Sequence, residues 1–230
     1  MLDMHSDISN VALLRLLQLT SPALPVGAYA YSGGLEYVVA KSWVCDETSA
    51  LEWIGGVLEN SVCQVDVPIF LRVFTAWKQQ DAVQVEYWSR YYHATRESFE
   101  LQSESRHLGQ AIARLLFDLG IAEAAAWRQH SYSNFASVFA LAACCWNINI
   151  KLAVYGYVWA WCENQVAASI KLIPLGQTGG QRILSRLITK IPSFIAHGMT
   201  LDDDQIGLLC PGLAMASAAH ETQYTRLFRS

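Results

Sequence analysis

The chain has 230 residues, of which 53% are hydrophobic and 16% are charged, and its formal net charge is −4. This length favours one domain, and a chain of this size buries enough surface to form a core without disulfides or metal ions. The negative charge argues against a nucleic-acid-binding protein, because such proteins usually present a basic face.

Helices are predicted in the first half of the chain from apolar spacing and capping residues. Asn10 caps a short helix over residues 10–19. The next segment, TSPALPVGAYAYSGGLE, is an ordered loop, because its two prolines and three glycines exclude a continuous helix. Tyr29 and Tyr31 in this loop are expected to be exposed or half-buried. Four further helices are expected from about Leu35, from Thr48 to about Ser61, from a cap at Asp66, and over residues 81–94.

The sequence of the second half of the chain predicts longer helices. The pattern from Thr95 to Leu119 indicates a helix whose first half is polar, and Gly120 stops it. Residues 129–150 contain no Lys, Arg, Asp or Glu, but their apolar centre is shorter than the about 20 residues that span a membrane. We therefore expect a core helix at about 133–146. No segment shows the period-two alternation of a strand.

A stretch from Leu152 to Leu187 predicts the centre of the fold. Its first part is apolar on nearly every helical face, which is typical of a buried helix with neighbours on several sides. The helix must end near Ile173, because Pro174 disfavours helical geometry in the residue before it. An elbow follows, and Thr178 and Gln181 have the capping-box spacing of a new helix.

These elements predict an all-α fold. We expect a single domain over residues 1–230, with about nine or ten helices around a buried central helix. Trp159 and Ile170 on that helix are expected to be deeply buried.

The six cysteines give no metal or disulfide pattern. They lie at 45, 63, 144, 145, 162 and 210, and no two of them form a C-x-x-C pair, so buried reduced thiols are expected. The first ten residues, MLDMHSDISN, lack the basic segment and apolar run of a secretory signal. Both observations predict a cytoplasmic protein.

No active site is predicted from the residues themselves. The six histidines do not cluster in the sequence, so we expect neither a metal site nor a cofactor. His220-Glu221 begins like H-E-x-x-H, but Tyr224 occupies the position of the second histidine. The run Asp202-Asp203-Asp204 supports an alternative hypothesis, a small all-α metal-dependent enzyme acting on a diphosphate substrate. Such a site needs carboxylates repeated along one helical face, whereas Ile206 and Gly207 follow here.

Four segments resemble the urease accessory protein UreF family. They are the loop SPALPVGAYAYSGGLE, the run TRESFELQSESRHLG, the elbow SIKLIPLGQTGGQRIL and the end of the chain, HETQYTRLFRS. The family's loop usually has Phe and Ser where this chain has Tyr29 and Ala30, and its polar run usually has Arg at the positions of Phe99 and Gln102. The four segments extend from residue 21 to residue 230, so the resemblance covers essentially the whole chain.

The resemblance implies an accessory protein or chaperone rather than an enzyme. Members of the family bind a UreD/UreH-type scaffold protein and the GTPase UreG, and together these proteins insert nickel into apo-urease during assembly of its metallocentre. A role in regulating GTP hydrolysis is implied as well, since cationic and polar groups beside the transferring phosphate accelerate this reaction. Neither a nucleic acid nor a membrane is among the implied partners.

The partner-binding residues follow from the elbow, the loop and a tail at about residues 213–230. Polar groups of the loop and elbow are expected at the surface that contacts the GTPase, whereas the tail is expected to contact the scaffold. The tail is predicted to be a helix with Tyr224, Leu227 and Phe228 on one face. It either becomes ordered on the scaffold or packs on the core of its own chain. The predicted partner-binding residues are Glu36, Lys171, Gln177, Arg182, Tyr224, Arg226, Leu227, Phe228 and Arg229.

Lys171 has a simpler explanation. A lysine in the last turn of a helix is stabilised by the negative end of the helix dipole, with or without a functional role.

A homodimer is expected from composition. With 53% hydrophobic residues, the chain has more apolar surface than one compact monomer usually hides. We expect a helical face, rather than the termini, to form this interface.

Overall fold

The computed structural model describes residues 9–207 and 210–230, and its regular structure is helical throughout these ranges. The α-helices are α1 (Asn10–Thr20), α2 (Leu35–Ala40), α3 (Glu47–Val57), α4 (Val67–Lys78), α5 (Ala82–Ala94), α6 (Phe99–Asp118), α7 (Phe135–Cys145), α8 (Ile150–Leu172), α9 (Gly176–Gly198) and α10 (Pro211–His220). Short 3-10 helices lie at Ala28–Ala30, Ala122–Arg128 and Asp203–Gln205, and a π-helix occupies Leu58–Asp66. The described residues contain no strand, so the all-α prediction is confirmed. His5 lies outside them.

Helix α8 is the centre of the molecule, as its sequence predicts. It contacts α1, α2, α3, α4, α7 and α9. Its buried residues, among them Val154, Tyr157 and Val158, occur on successive positions rather than on one stripe. Helix α1 approaches it closely at Gly156, where a Cβ atom would lie 2.5 Å from the Cδ1 atom of Leu16. A helix surrounded on this many sides has to be apolar nearly all round.

The predicted deep burial of Trp159 and Ile170 is wrong. Both side chains are half-buried and pack against the edge of the core. Ile170 lies in the last turn of α8 and packs on Gly180 of α9, where a Cβ atom would be 2.4 Å from its Cδ1 atom. The periodicity identifies a residue that faces another helix, but it does not show whether that contact lies at the centre or at the edge of the core.

Several helix ends match their capping residues. Asp81 caps α5 by accepting a hydrogen bond from the Gln84 amide at 3.0 Å. Helix α6 begins at Phe99 rather than at Thr95, because Ser98 caps it through the Leu101 amide at 3.1 Å. Gly120 follows its end with a φ of +92°, as expected of a residue that stops a helix.

The predicted cap at Asp66 is wrong. Helix α3, the π-helix and α4 form one continuous rod, and Asp66 itself has right-handed helical dihedral angles. Pro68 is in the first turn of α4. A proline in a continuous α-helix would clash with the carbonyl four residues earlier, and the wider turn of the π-helix moves that carbonyl away. The proline is therefore accommodated without a break, and Asp66 is left free for other contacts.

The elbow lies where the sequence places it, but the next helix starts earlier. Helix α8 ends at Leu172, before Pro174. Gly176, with a φ of +63°, reverses the chain and begins α9, so Thr178 lies inside the first turn and does not cap it. Glycine adopts this left-handed conformation at little cost, which explains why the chain turns there rather than at Thr178.

Helix α7 is the core helix predicted within residues 129–150. Every residue from Ala136 to Ala143 is buried. In the part of the chain that the structure describes, no helix is long and apolar enough to cross a membrane.

Candidate functional site

The loop, the elbow and the tail meet at Lys171. The ammonium group of this lysine lies 5.8 Å from the ring centre of Tyr29 in the loop and 5.5 Å from that of Phe228 in the tail. Both distances fall within the range of cation–π contacts. Lys171 and Tyr29 are exposed, whereas Phe228 is buried and forms the floor. We call Tyr29, Lys171 and Phe228 the Lys171 surface.

The tail is not one helix, so its predicted helical face is wrong. Helix α10 ends at His220, and residues 221–230, which we call the turn segment, continue as turns. Consequently Tyr224 and Leu227 are exposed while Phe228 is buried. The turn segment packs on the chain's own core, which is the second alternative given for the tail. It does so as a series of turns and not as a helix.

Glu36 of α2 forms hydrogen bonds with the backbone of the turn segment. Its carboxylate accepts hydrogen bonds from the backbone amides of Leu227 at 2.6 Å and Phe228 at 2.9 Å. It also lies 3.2 Å from Nε2 of His220. Glu36 is 7% exposed, so its predicted surface position is wrong. Gly34, with a φ of +80°, turns the loop so that the first turn of α2 lies under the tail.

Glu100 holds the same segment from helix α6. One carboxylate oxygen lies 2.6 Å from Nδ1 of His220, and the other accepts from the Arg226 guanidinium at 2.5 Å. Because Arg226 is committed to this ion pair, its charge is partly satisfied within the chain.

The end of the described chain pairs with the loop. The Ser230 carbonyl accepts hydrogen bonds from the amide of Ser32 at 2.9 Å and from its hydroxyl group. The Ser230 hydroxyl donates to Glu104 at 2.5 Å, and burial raises the pKa of Glu104 to about 7. Backbone pairing and a buried side-chain contact thus fix the last residue of the turn segment.

A second buried polar cluster lies around Asp66 at the end of the π-helix. Asp66 accepts hydrogen bonds from the hydroxyls of Tyr92 at 3.0 Å and Tyr157 at 2.8 Å, and it pairs with Arg96. Burial is the main cause that raises the pKa of both tyrosines, which therefore remain neutral donors. The carboxylate is fully partnered, as a buried charge requires.

A cavity of about 220 Å³ separates this cluster from the loop. Asp66, Arg96 and Glu104 contribute polar groups to a wall that is otherwise mostly apolar. Gly33 and Glu104 line the cavity and both bind Ser230, so the turn segment is attached to its wall. Within residues 9–207 and 210–230, no group of three His, Cys, Asp or Glu side chains could hold a metal ion.

The remaining predicted site residues lie at the surface but do not all join the Lys171 surface. Gln177 is exposed in the first turn of α9. Arg182 is also exposed on α9, but its guanidinium binds Glu47 of α3 at 2.6 Å. Arg229 is exposed in the turn segment, where its backbone amide donates to the Ala30 carbonyl at 2.9 Å.

The aspartate run is accounted for by a turn. Asp202 and Gln205 form a capping box at a 3-10 helix, and Asp203 pairs with Arg72 at 2.8 Å. The carboxylates therefore lie in a single exposed turn and are not repeated along a helical face, which is what the alternative hypothesis requires.

Comparison with known proteins identifies the family. The model of the UreF family matches residues 44–188, which is more than half of the chain. The chain belongs to the UreF family.

Full-length relatives extend this match to the loop and the tail. The urease accessory protein UreF of Alkalilimnicola ehrlichii is 47% identical over 221 residues, covering 96% of this chain and 97% of that protein. That of Teredinibacter turnerae is 45% identical and covers 96% and 100%, respectively. That of Chromohalobacter salexigens is 42% identical over 225 residues and covers 98% and 97%. The resemblance predicted from the four segments is thus confirmed as membership of the UreF family.

Proposed function

We propose that this UreF-family chain is an adaptor for nickel insertion into urease. It binds a UreD/UreH-type scaffold and the GTPase UreG in the cytoplasm, and with them it acts on apo-urease as a homodimer. Family membership and the name that the relatives share, urease accessory protein, support this proposal.

The Lys171 surface is the proposed contact for the GTPase. The observation that carries this assignment is the convergence of loop, elbow and tail on one exposed cation. None of the salt bridges between described residues involves Lys171, so its charge is available to a partner. A cation placed near a transferring phosphate, or near the residues that bind it, changes the rate of GTP hydrolysis. Gln177 and Arg182 extend the same proposal along the exposed face of α9.

The exposed side of the turn segment is the proposed contact for the scaffold. Tyr224, Leu227 and Arg229 face solvent, and aromatic and arginine side chains are enriched at binding hot spots. Phe228 and Arg226 have a different proposed role. Their contacts with the chain's own core position Tyr224, Leu227 and Arg229 at the surface.

Substitution of Lys171 tests the proposed function. We expect Lys171→Ala, co-expressed with the urease cluster, to lose co-purification of the GTPase and to lower the nickel content of urease. The unfolding midpoint should change little, because a cation–π contact at an exposed site contributes only about 0.5–1 kcal/mol.

Lys190→Ala is the matched control, since Lys190 is also an exposed helical lysine. It should leave GTPase binding and nickel content unchanged. Normal nickel content and normal GTPase binding in the Lys171→Ala protein would contradict the proposal and return Lys171 to a role at the helix end.

A further inference from the structure

Helix α6 carries a basic face. Arg106 and Arg114 are separated by about two helical turns, so their side chains leave the helix on the same side. His107 lies on that side as well. Arg114 and His107 are exposed and Arg106 is half-buried, so the charges of this face reach the surface.

The turn segment brings a third arginine to this face. The Ser230 hydroxyl donates to Glu104 of α6 at 2.5 Å, which places the neighbouring Arg229 beside the helix. In the loop, the Tyr31 hydroxyl lies 3.1 Å from Nδ1 of His107. The loop, the turn segment and α6 therefore meet around Arg229, whose side chain is exposed.

The positive charges on this face are not compensated by the described residues. We call Arg106, Arg114 and Arg229 the arginine surface, and none of the salt bridges in the described part of the chain includes them. Partial burial lowers the pKa of His107, and the charges of these three arginines lower it further. Uncompensated cations on one side of a chain whose net charge is −4 attract a negatively charged partner.

The charge pattern fits an acidic protein segment better than a membrane or a nucleic acid. All three cations are arginines, whose planar guanidinium group pairs with a carboxylate through two parallel hydrogen bonds. Recognition of an anionic membrane takes clusters of about 4–8 basic residues. Nucleic acids require a broadly basic face, which a chain of net charge −4 does not provide outside this surface.

We propose that the arginine surface binds an acidic segment of a protein partner. Arg229 also belongs to the exposed side of the turn segment, which is the proposed contact for the scaffold. The scaffold is therefore the expected source of the acidic segment, and its contact extends from the turn segment onto α6. This choice of partner rests on the proposed function, whereas the preference for carboxylates rests on the three arginines.

A poly-glutamate peptide tests the surface without any partner. When it is added to the full chain, NMR titration should show binding and a rise in the pKa of His107, because nearby carboxylates favour the imidazolium. Binding should weaken as salt is raised from about 0.1 M to about 1 M, since the Debye length falls from about 10 Å to about 3 Å.

Charge reversal shows whether the arginines are responsible. Arg106→Glu with Arg114→Glu should weaken peptide binding by about tenfold or more, because like charges then face each other. The matched control is Arg186→Glu with Lys190→Glu, which makes the same change in net charge on the exposed face of α9. It should leave peptide affinity within about twofold of the unsubstituted chain, because charges beyond about one Debye length are screened.

Co-expression with the scaffold separates this inference from the proposed function. The reversed protein should lose co-purification of the scaffold, and the control should keep it. Arg229→Ala should weaken both kinds of binding without a change in α6, so it replaces the reversed protein if that protein fails to fold.

Equal peptide binding by the reversed and control proteins would overturn the proposal. So would equal recovery of the scaffold, or binding of phosphatidylserine vesicles in place of the peptide. If the unsubstituted chain recovers no scaffold, the proposed function is wrong, and the peptide measurement still decides whether the arginine surface binds carboxylates.

Discussion

Single residues in this protein show how burial decides between a structural and a surface role. Asp66 and Glu36 are both buried acids, and each is surrounded by donors that compensate for the loss of water. Lys171, by contrast, is exposed, and its ammonium group lies over the rings of Tyr29 and Phe228. The acids hold segments of this chain together, whereas the ammonium group of Lys171 reaches the surface.

Neighbouring residues of the turn segment should behave in opposite ways. Leu227 is 67% exposed and Phe228 is 6% exposed, although they are adjacent in the chain. We expect Tyr224→Ala with Leu227→Ala to weaken co-purification of the scaffold while leaving the free energy of unfolding within about 0.5 kcal/mol. Phe228→Ala should instead lower that free energy by about 3–5 kcal/mol, measured by chemical denaturation.

The pair of variants separates binding from packing. Normal scaffold binding by the Tyr224 and Leu227 variant would show that the exposed side of the turn segment is not the contact. A large loss of stability in that variant would mean that these side chains pack on the chain's own core.

Among the structural elements, the π-helix is the one that local patterns do not reveal. It allows α3 and α4 to continue as one rod past Pro68, and it brings the carbonyl of Cys63 close to the end of α9. At Gly198 a Cβ atom would lie 2.0 Å from that carbonyl oxygen, closer than any side chain can approach. The absence of a side chain at Gly198 is thus what permits α9 to pack against the π-helix.

Gly198→Ala should therefore be destabilising. We expect the free energy of unfolding to fall by about 1–3 kcal/mol or more, because the backbone of the π-helix or of α9 has to move. Gly56→Ala is the control within the same rod, since a Cβ atom there meets nothing within 4 Å. That change should raise the free energy by about 0.5–1 kcal/mol through helix propensity. Equal effects of the two substitutions in thermal or chemical unfolding would contradict the close approach.

At the scale of the whole molecule, exposed apolar residues are concentrated on α1. Val11, Leu14 and Leu17 are 66%, 65% and 57% exposed, and they follow one another at intervals of three positions. Their opposite face, with Ala12, Leu16 and Leu19, packs on the core. A helix that is apolar on its outer face as well is the kind of surface that a subunit interface covers.

We expect the purified chain to be a homodimer through this face. Light scattering should give twice the mass of 25.6 kDa, and Leu14→Asp with Leu17→Asp should give a monomer that remains helical by circular dichroism. A monomer in the unsubstituted protein would rule out the homodimer. A dimer that survives both substitutions would place the interface elsewhere.

The sequence by itself determined the features that depend on local chemistry. A helix that is apolar all round has to be central, and Pro174 has to end it, so α8 and the elbow are predictable from residues 151–174 alone. The absence of alternating segments excluded strands, and four motifs were enough to identify the family. Each of these inferences needs only residues that are neighbours in the chain.

Tertiary structure alone decided the roles of the buried charges and of the tail. Glu100 and His220 are 120 positions apart, and Glu36 and Phe228 are 192 apart, so no local pattern pairs them. From the sequence, Asp66 is predicted to be a helix cap, because its real partners, Tyr92 and Tyr157, lie on other helices and no local pattern links them to it. The cost of burying a charge is compensated only by donors that the whole fold brings together. For that reason Glu36, which the sequence predicts at the surface, is buried beneath the turn segment.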